Sequence, residues 1–238
     1  MKTKRRFNIG LWVLLCVPCL LTSCDHDVHN GEEEGGLSVS LTWADEADEG
    51  TEVEDVKLWI FDADKGSMIE EKHYGSTEEV ASQRFQLPEG TYCIQTFSNL
   101  TEPFFISEQT RALTNWNNIL IGLTNPKDVR NNAYFGVTDV KIDNKEGNYV
   151  VQTQKKKVLA ELTIIIENIP KGTEMSGKAL DCAWCLFPTQ KNSDGEYGLP
   201  SIEPTEVELP TLLATESTLK SEVIRLMPTI QGSSSSHI

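Results

Sequence analysis

Residues 37–43 read Leu-Ser-Val-Ser-Leu-Thr-Trp, apolar at every second position. Successive side chains of an extended strand point to opposite faces, so Leu37, Val39, Leu41 and Trp43 share one face and Ser38, Ser40 and Thr42 the other. An amphipathic helix repeats every 3.6 residues and cannot sort this pattern onto one side. Alternation returns at Val56, Leu58 and Ile60, set between Lys57, Trp59 and Phe61. It returns again at Val158, Ala160, Leu162, Ile164 and Ile166, where it predicts one long strand with neighbours on both sides.

The intervals carry turn chemistry. Asp62 to Gly66 closes the second alternating run, and Ser67 to Tyr74 is placed to return as its hairpin partner. Ser76 to Gln83 fits a loop or a short helical turn. Pro88, Glu89 and Gly90 lead from extended Arg84–Leu87 into strand-like Thr91–Ser98. Trp116 to Leu123 reads as either a strand or a short helix. Tyr134–Ile142 and Tyr149–Thr153 flank a turn at Asp143–Asn148, and Lys178–Leu186 and Thr218–Met227 add two further strands. Many short strands without a long amphipathic helix predict an all-β chain of β-sandwich architecture. With 238 residues there is room for two such domains, and a hydrophobic fraction of 39% is enough to give them cores.

The amino terminus follows a different logic. Lys2, Lys4, Arg5 and Arg6 precede an apolar run from Ile9 to Leu21, too short to span a bilayer, which needs about 20 residues. A basic start before a short apolar stretch is the pattern of an export signal. Four of the 21 basic residues lie in this leader and none of the 36 acidic ones do, so its removal takes the net charge from −15 to −19. A surface that acidic repels phosphate backbones, which excludes nucleic acid as a partner.

Leu21, Thr22, Ser23 and Cys24 resemble the lipobox of bacterial lipoproteins. The resemblance implies cleavage between Ser23 and Cys24, a diacylglyceryl group on the Cys24 sulfur, and an acylated new amino terminus. Each buried CH₂ contributes about 0.8 kcal/mol, so two or three chains hold a protein durably on a membrane. Asp25 to Gly36, with Asp27 and Glu32–Glu34, then reads as a flexible acidic tether. Its acidity is similar to the signal that sends lipoproteins of Bacteroidetes-type bacteria to the outer face of the outer membrane. The organisation expected is signal peptide 1–23, tether 24–36, a β-sandwich domain 37–150, and a C-terminal β domain 151–238 that is short or incomplete.

VKLWIFDADKG, LPEGTYCIQTFSN, NNAYFG and KKKVLAELTIIIENIP, in that order after the lipobox, resemble the FimB-type anchor family of Bacteroidetes fimbrial proteins, within the fimbrillin superfamily. The resemblance runs from about Cys24 to Pro170. It implies two transthyretin-like, Greek-key β-sandwich domains, a lipid-held position in the outer membrane at the base of a type V fimbria or as an accessory subunit, and fimbrial pilins as partners. Subunits of this superfamily are thought to associate by strand addition, which needs an open edge and no catalytic residue.

Cys182 and Cys185 form a CAWC pair, but reactive dithiols sit at a helix start beside a βαβ unit, which is absent from the pattern. A core or edge role fits better, and an exported protein also permits a disulfide between one of them and Cys93. Asp25, His26, Asp27 and His29 lie in the tether, where ordering around a metal is costly. Asp62 and Asp64 open like a calcium loop, yet Gly66 falls at the fifth position and His73 at the twelfth, so a hairpin turn is expected. No nucleophile elbow, zinc-protease motif or phosphate loop is present. The expectation is a protein that is not an enzyme, with no catalytic residue, metal or cofactor. The alternative to the fimbrial role is a surface lipoprotein that binds glycan or host ligand through aromatics such as Trp43, Trp59 or Trp116.

Overall fold

The computed structural model describes residues 36–107, 116, 119–126 and 129–228. Its early strands are β1 (Gly36–Trp43), β2 (Val56–Asp62), β3 (Met68–Tyr74) and β4 (Gly90–Ser98). The short β5 (Phe104–Ile106) and β6 (Ile121–Leu123) follow, then the long β7 (Tyr134–Ile142) and β8 (Asn148–Lys157). One helix, α1 (Thr77–Ala81), stands between β3 and β4; Ser76 caps it by accepting from the Glu79 amide. Beyond β8 come β9 (Ala160–Leu162), β10 (Ile165–Glu167), β11 (Glu174–Met175), β12 (Lys178–Ala183), β13 (Cys185–Lys191) and β14 (Tyr197–Pro200). The last are β15 (Pro204–Glu208), β16 (Leu212–Leu213), β17 (Thr218–Lys220) and β18 (Ile224–Leu226).

Six strands form the main sheet in the order β1-β8-β7-β4-β2-β3, and four form a second in the order β14-β13-β6-β5. β2 and β4, central and antiparallel, are apolar on both faces, and each face has its own core. Trp59, Phe61, Cys93 and Phe97 look towards the second sheet and pack with Phe104, Ile121 and Leu186, the filling of a β-sandwich. Leu58, Ile60, Tyr92 and Ile94 look the other way, onto Leu37, Val39, Phe85 and Val80 of α1. The protein is therefore all-β with a sandwich core, as the alternation predicts.

β1 pairs with β8 in parallel along its whole length, from Gly36 with Asn148 to Trp43 with Lys155. β8 runs continuously through residue 151, where the sequence reading divides the two domains. Its ladder to β7 is confined to Tyr134 with Lys157 and Phe135 with Lys156. At Gly136 the two strands come so close that a Cβ would stand 2.5 Å from Thr153 Cγ2 and 2.9 Å from the Gln154 carbonyl oxygen.

The strands expected at Lys178–Leu186 and Thr218–Met227 each divide in two, into β12 and β13 and into β17 and β18, and two further readings are settled. The continuous strand predicted from Val158 to Ile166 is broken: Val158 and Leu159 are buried in the sandwich core, while β9 and β10 are separate three-residue strands, each with a single partner, β18 and β17. The break is at Ile164, whose amide is taken by the Ser221 hydroxyl and whose carbonyl accepts from the Ser221 amide. Trp116 to Leu123, open between strand and helix, resolves at its end into the strand Ile121–Leu123.

Candidate functional site: an open-edged ribbon and a polar trough

From Ala160 to Ala183 the chain runs out, and from Pro204 to Leu226 it runs back antiparallel to itself. The pairs β9 with β18, β10 with β17, β11 with β16 and β12 with β15 follow one another along this course. Ile169, Gly172 and Leu209 amides add bonds across the gaps, to the carbonyls of Ser217, Ala214 and Gly177. These four pairs are one two-stranded ribbon. It bends where Asn168 (φ 60°) and Gly172 (φ 82°) take left-handed backbone conformations around Pro170, which suits asparagine and glycine. A bulge at Asp181 (φ 55°) shifts the register between Ala179 and Cys182.

The bend brings the two ends of the ribbon together. Ala179, Cys182, Val207, Leu209 and Leu226 are buried against each other, with Leu162, Ile164 and Ile224 packed alongside. Polar contacts fix the root: Glu161 accepts from Arg225 Nε (3.1 Å), Asn132 Nδ2 (2.9 Å) and Lys157 Nζ (3.5 Å), and Lys157 also meets Asp48 at 2.8 Å.

Among the described residues each strand of the ribbon has one pairing neighbour, so both outer edges are unladdered. One of these edges faces a cleft of about 670 Å³ inside the bend. Its banks are two stretches of the same returning strand, Val207–Leu212 and Ser221–Leu226, and Pro126, Val129 and Arg130 complete the lining. Val223 (46% exposed) stands in it, and Ile165 (56%) and Leu213 (62%) are exposed elsewhere on the ribbon.

The edge at β3 is different. Glu70, Glu71, Lys72 and His73 line it, with Lys72 paired to Glu70 at 2.8 Å and His73 to Asp55 at 2.6 Å. Charges on an edge strand discourage pairing with another chain.

A second concavity, about 330 Å³, lies where the β13–β14 hairpin overhangs β8. Gln152, Gln154 and Lys156 form its floor, and Lys191, Glu196 and Tyr197 its wall. Tyr197 donates to Asp139 Oδ2 at 2.6 Å, Lys156 pairs with Glu196 at 3.1 Å, and the Lys191 ammonium sits 4.5 Å from the Tyr197 ring centre. Burial first, then the hydrogen bond to Asp139, pushes the Tyr197 phenol up and keeps it a neutral donor.

The residues singled out in the sequence are placed as follows. Ser23, Cys24 and the tether with Asp25, His26, Asp27 and His29 lie outside the described residues. Cys93, Cys182 and Cys185 are all buried and free. Cys93 belongs to the sandwich core and Cys182 to the ribbon core. Asp62 accepts from the Asp64 and Lys65 amides at 3.1 and 2.9 Å, the hairpin turn expected. Trp59 is buried among Phe61 and Phe97, and Trp116 packs against the same core. Trp43 is held edge-on to Tyr134, with the Lys155 ammonium 3.6 Å from its ring centre. Trp59 has no free face for a ligand, whereas Trp43 and Trp116 are half-buried. The ribbon and the trough had no motif to announce them.

The model of the Mfa2 family, described as fimbrillin-A associated anchor proteins Mfa1 and Mfa2, matches residues 22–200. The chain belongs to this anchor family. The fold agrees with solved structures. The fimbrial anchor protein Mfa2 from Porphyromonas gingivalis superposes with a TM-score of 0.61 at 14% identity, over 83% of this chain and 74% of that one. A candidate adhesin from Bacteroides ovatus ATCC 8483 gives 0.57 at 13%, over 84% and 69%. A candidate polysaccharide-binding protein from Bacteroides thetaiotaomicron VPI-5482 gives 0.56 at 12%, over 84% and 73%. No curated protein matches the chain. Membership of the anchor family associates the chain with fimbriae and the cell surface. Among the described residues no helix is long and apolar enough to cross a membrane, and no group of three or more His, Cys, Asp or Glu is placed to hold a metal ion.

Proposed function

We propose that this protein is a lipid-anchored subunit of the outer-membrane surface that holds a type V fimbria, or serves it as an accessory subunit, through acyl chains on Cys24. The observation that carries the reading is the anchor-family match over residues 22–200. The basic and apolar leader ending in Leu-Thr-Ser-Cys supplies the chemistry for attachment. An acidic tether then separates lipid from the β-rich body, and no reaction is asked of the protein. Two domains, 37–150 and 151–238, remain the proposed division of labour along the chain. The test is Cys24→Ala in the cells that make the protein. Loss from the membrane fraction, with fimbriae shed into the medium, is expected. Normal membrane partitioning would refute the lipid, and a gene deletion that leaves fibres attached and unchanged in length would refute the fimbrial role.

A second reading is favoured by the trough. Its two amide side chains, two ammonium groups, carboxylate and phenol suit the hydroxyl groups of a neutral glycan, and a neighbour of the same fold is described as a candidate polysaccharide-binding protein. In that case the protein displays a glycan receptor on the cell surface. Retention on immobilised mannan or xylan, lost in Gln154→Ala, supports it; no retention on either removes it.

A further inference from the structure

The geometry points to an isopeptide bond between Lys157 Nζ and the Asp48 carboxyl carbon, formed once by loss of water with Glu161 as proton carrier. The bond stands independently of the fimbrial reading; the use drawn from it below rests on the lipid tether proposed above.

Three residues far apart in sequence are delivered to one point. Lys157 is the last residue of β8 and lies opposite Tyr134 of β7 in the ladder. Val158 follows, fully buried, with its amide on the Ala133 carbonyl at 2.9 Å, so the base of the lysine is fixed. Asp48 closes the 3₁₀ turn Glu46–Asp48, which Asp45 caps by accepting from the Ala47 amide. The Asp48 amide bonds back to the Asp45 carbonyl, and its own carbonyl takes the Thr51 amide. Glu161 comes from β9, held through Oε1 by Arg225 and Asn132, which leaves Oε2 for Lys157. Lys157 Nζ stands 2.8 Å from Asp48 Oδ1 and 3.5 Å from Glu161 Oε2.

Among the described residues no other lysine meets two carboxylates within 4.0 Å. The pair with Asp48 is also the lysine pair most withdrawn from water, its side chains 26% and 9% exposed, against 72% and 68% for the surface pair Lys141 and Asp143. Tyr134, itself 3% exposed, stands beside the trio. Withdrawal from water penalises two ions relative to a neutral amine and a neutral acid. The hydrogen bond to Asp48 works the other way and holds the Lys157 ammonium above its ordinary range, so a proton has to be carried across.

Glu161 takes that proton from the ammonium and delivers one to Asp48. The neutral amine attacks the Asp48 carboxyl carbon; the C–N bond forms, the C–O bond breaks, and the hydroxyl leaves as water with a second nitrogen proton, again carried by Glu161. In sum one ammonium and one carboxylate give one amide and one water, and Glu161 is returned unchanged. No oxidant, cofactor or activated donor is consumed. Groups held in contact react at effective molarities of about 10⁵–10⁸ M, which offsets the cost of condensing an acid with an amine in water.

The bond closes residues 48–157 into a ring that contains β2–β8 and leaves only β1 of the main sheet outside it. A pull through a lipid on Cys24 enters at Gly36 and acts first on β1. At Asp48 it passes directly to Lys157, so a load borne beyond residue 157 never reaches β2–β8. An ion pair in the same place is weakened by salt; an amide is not.

Peptide mass spectrometry of the protein purified from the cells that make it tests the bond. After denaturation and digestion, the segment carrying Asp48 should be joined to the segment carrying Lys157, lighter by one water than the two together. In a denaturing gel the ring-closed chain should run ahead of Asp48→Ala and of Lys157→Arg, which keeps a cation but cannot form the amide. Glu161→Gln should slow linkage roughly 10²-fold or more. Two separate peptides at their full masses in the unaltered protein overturn the bond and leave an ion pair. Complete linkage in Glu161→Gln overturns the proton route. Neither outcome bears on the lipid, which Cys24→Ala tests by itself.

Discussion

Cys93 is the residue whose surroundings act most strongly on its chemistry. It is fully buried between the two sheets, and burial, with the negative charge of Asp139 second, pushes its thiol from an ordinary 9.0 up to about 12. A raised folded value means that the folded state prefers the neutral thiol. The stability this group lends is complete below pH 9 and is lost as pH rises towards 12. Chemical denaturation as a function of pH should show this loss, and Cys93→Ala should flatten it. Because the thiolate is the reactive form, iodoacetamide at pH 8 should leave Cys93 unmodified in the folded protein and label it readily after unfolding, as peptide mass spectrometry would show. Gly136 acts by size instead. Gly136→Val puts carbon into the space of Thr153 and of a main-chain carbonyl that cannot move aside, and should cost roughly 1–3 kcal/mol in urea unfolding. Neither residue is conspicuous in the sequence: a cysteine in an alternating strand is ordinary, and a tyrosine-phenylalanine-glycine triplet does not say which strand will press on it.

At the level of elements, the ribbon bend is the informative one. Gly172 holds φ at 82°, and a β-branched residue there pays about 1–2 kcal/mol for the left-handed conformation. Gly172→Val should therefore speed amide exchange in β10, β11, β16 and β17 while the global urea midpoint changes little, since the bend is remote from the sandwich core. The alternating pattern made β1 and β2 legible almost to the residue, because their period-two faces meet apolar cores, and the turns at Pro88–Gly90 and Asp143–Asn148 did the same for β4 and β7. It misled at Val158–Ile166, where the same pattern is shared by a pair of root residues in one core and two short strands in a ribbon. Periodicity reports which side chains point the same way; it does not report whether a neighbour is there to receive them.

Across the whole molecule the distribution of order follows the distribution of partners. Among the described residues β2 and β4 have a neighbour on each side and a core on each face, whereas the ribbon strands have one neighbour and a five-residue core. Native-state hydrogen exchange should be slowest at Leu58–Phe61 and Cys93–Phe97, approaching the global unfolding free energy, and fastest along β9–β11 and β16–β18. Equal protection in both regions would show that the ribbon is fixed by something other than its own pairing.

The sequence by itself determined the fold class, the hairpin turn at Asp62, the acidic character of the chain, and the resemblance that led to the anchor family. All of these depend on local order of residues or on sums over the chain, which pairing cannot alter. Only the tertiary structure decided that β1 lies parallel to β8, that Trp59 is buried, that Cys93 and Cys182 belong to different cores, and that the C-terminal strands form a bent ribbon with an edge turned into a cleft. Those features depend on which distant segments meet. Contacts between residues 45 to 111 positions apart, such as Ser38 with Gln83 and Ser40 with Val151, leave no trace in the spacing of either partner.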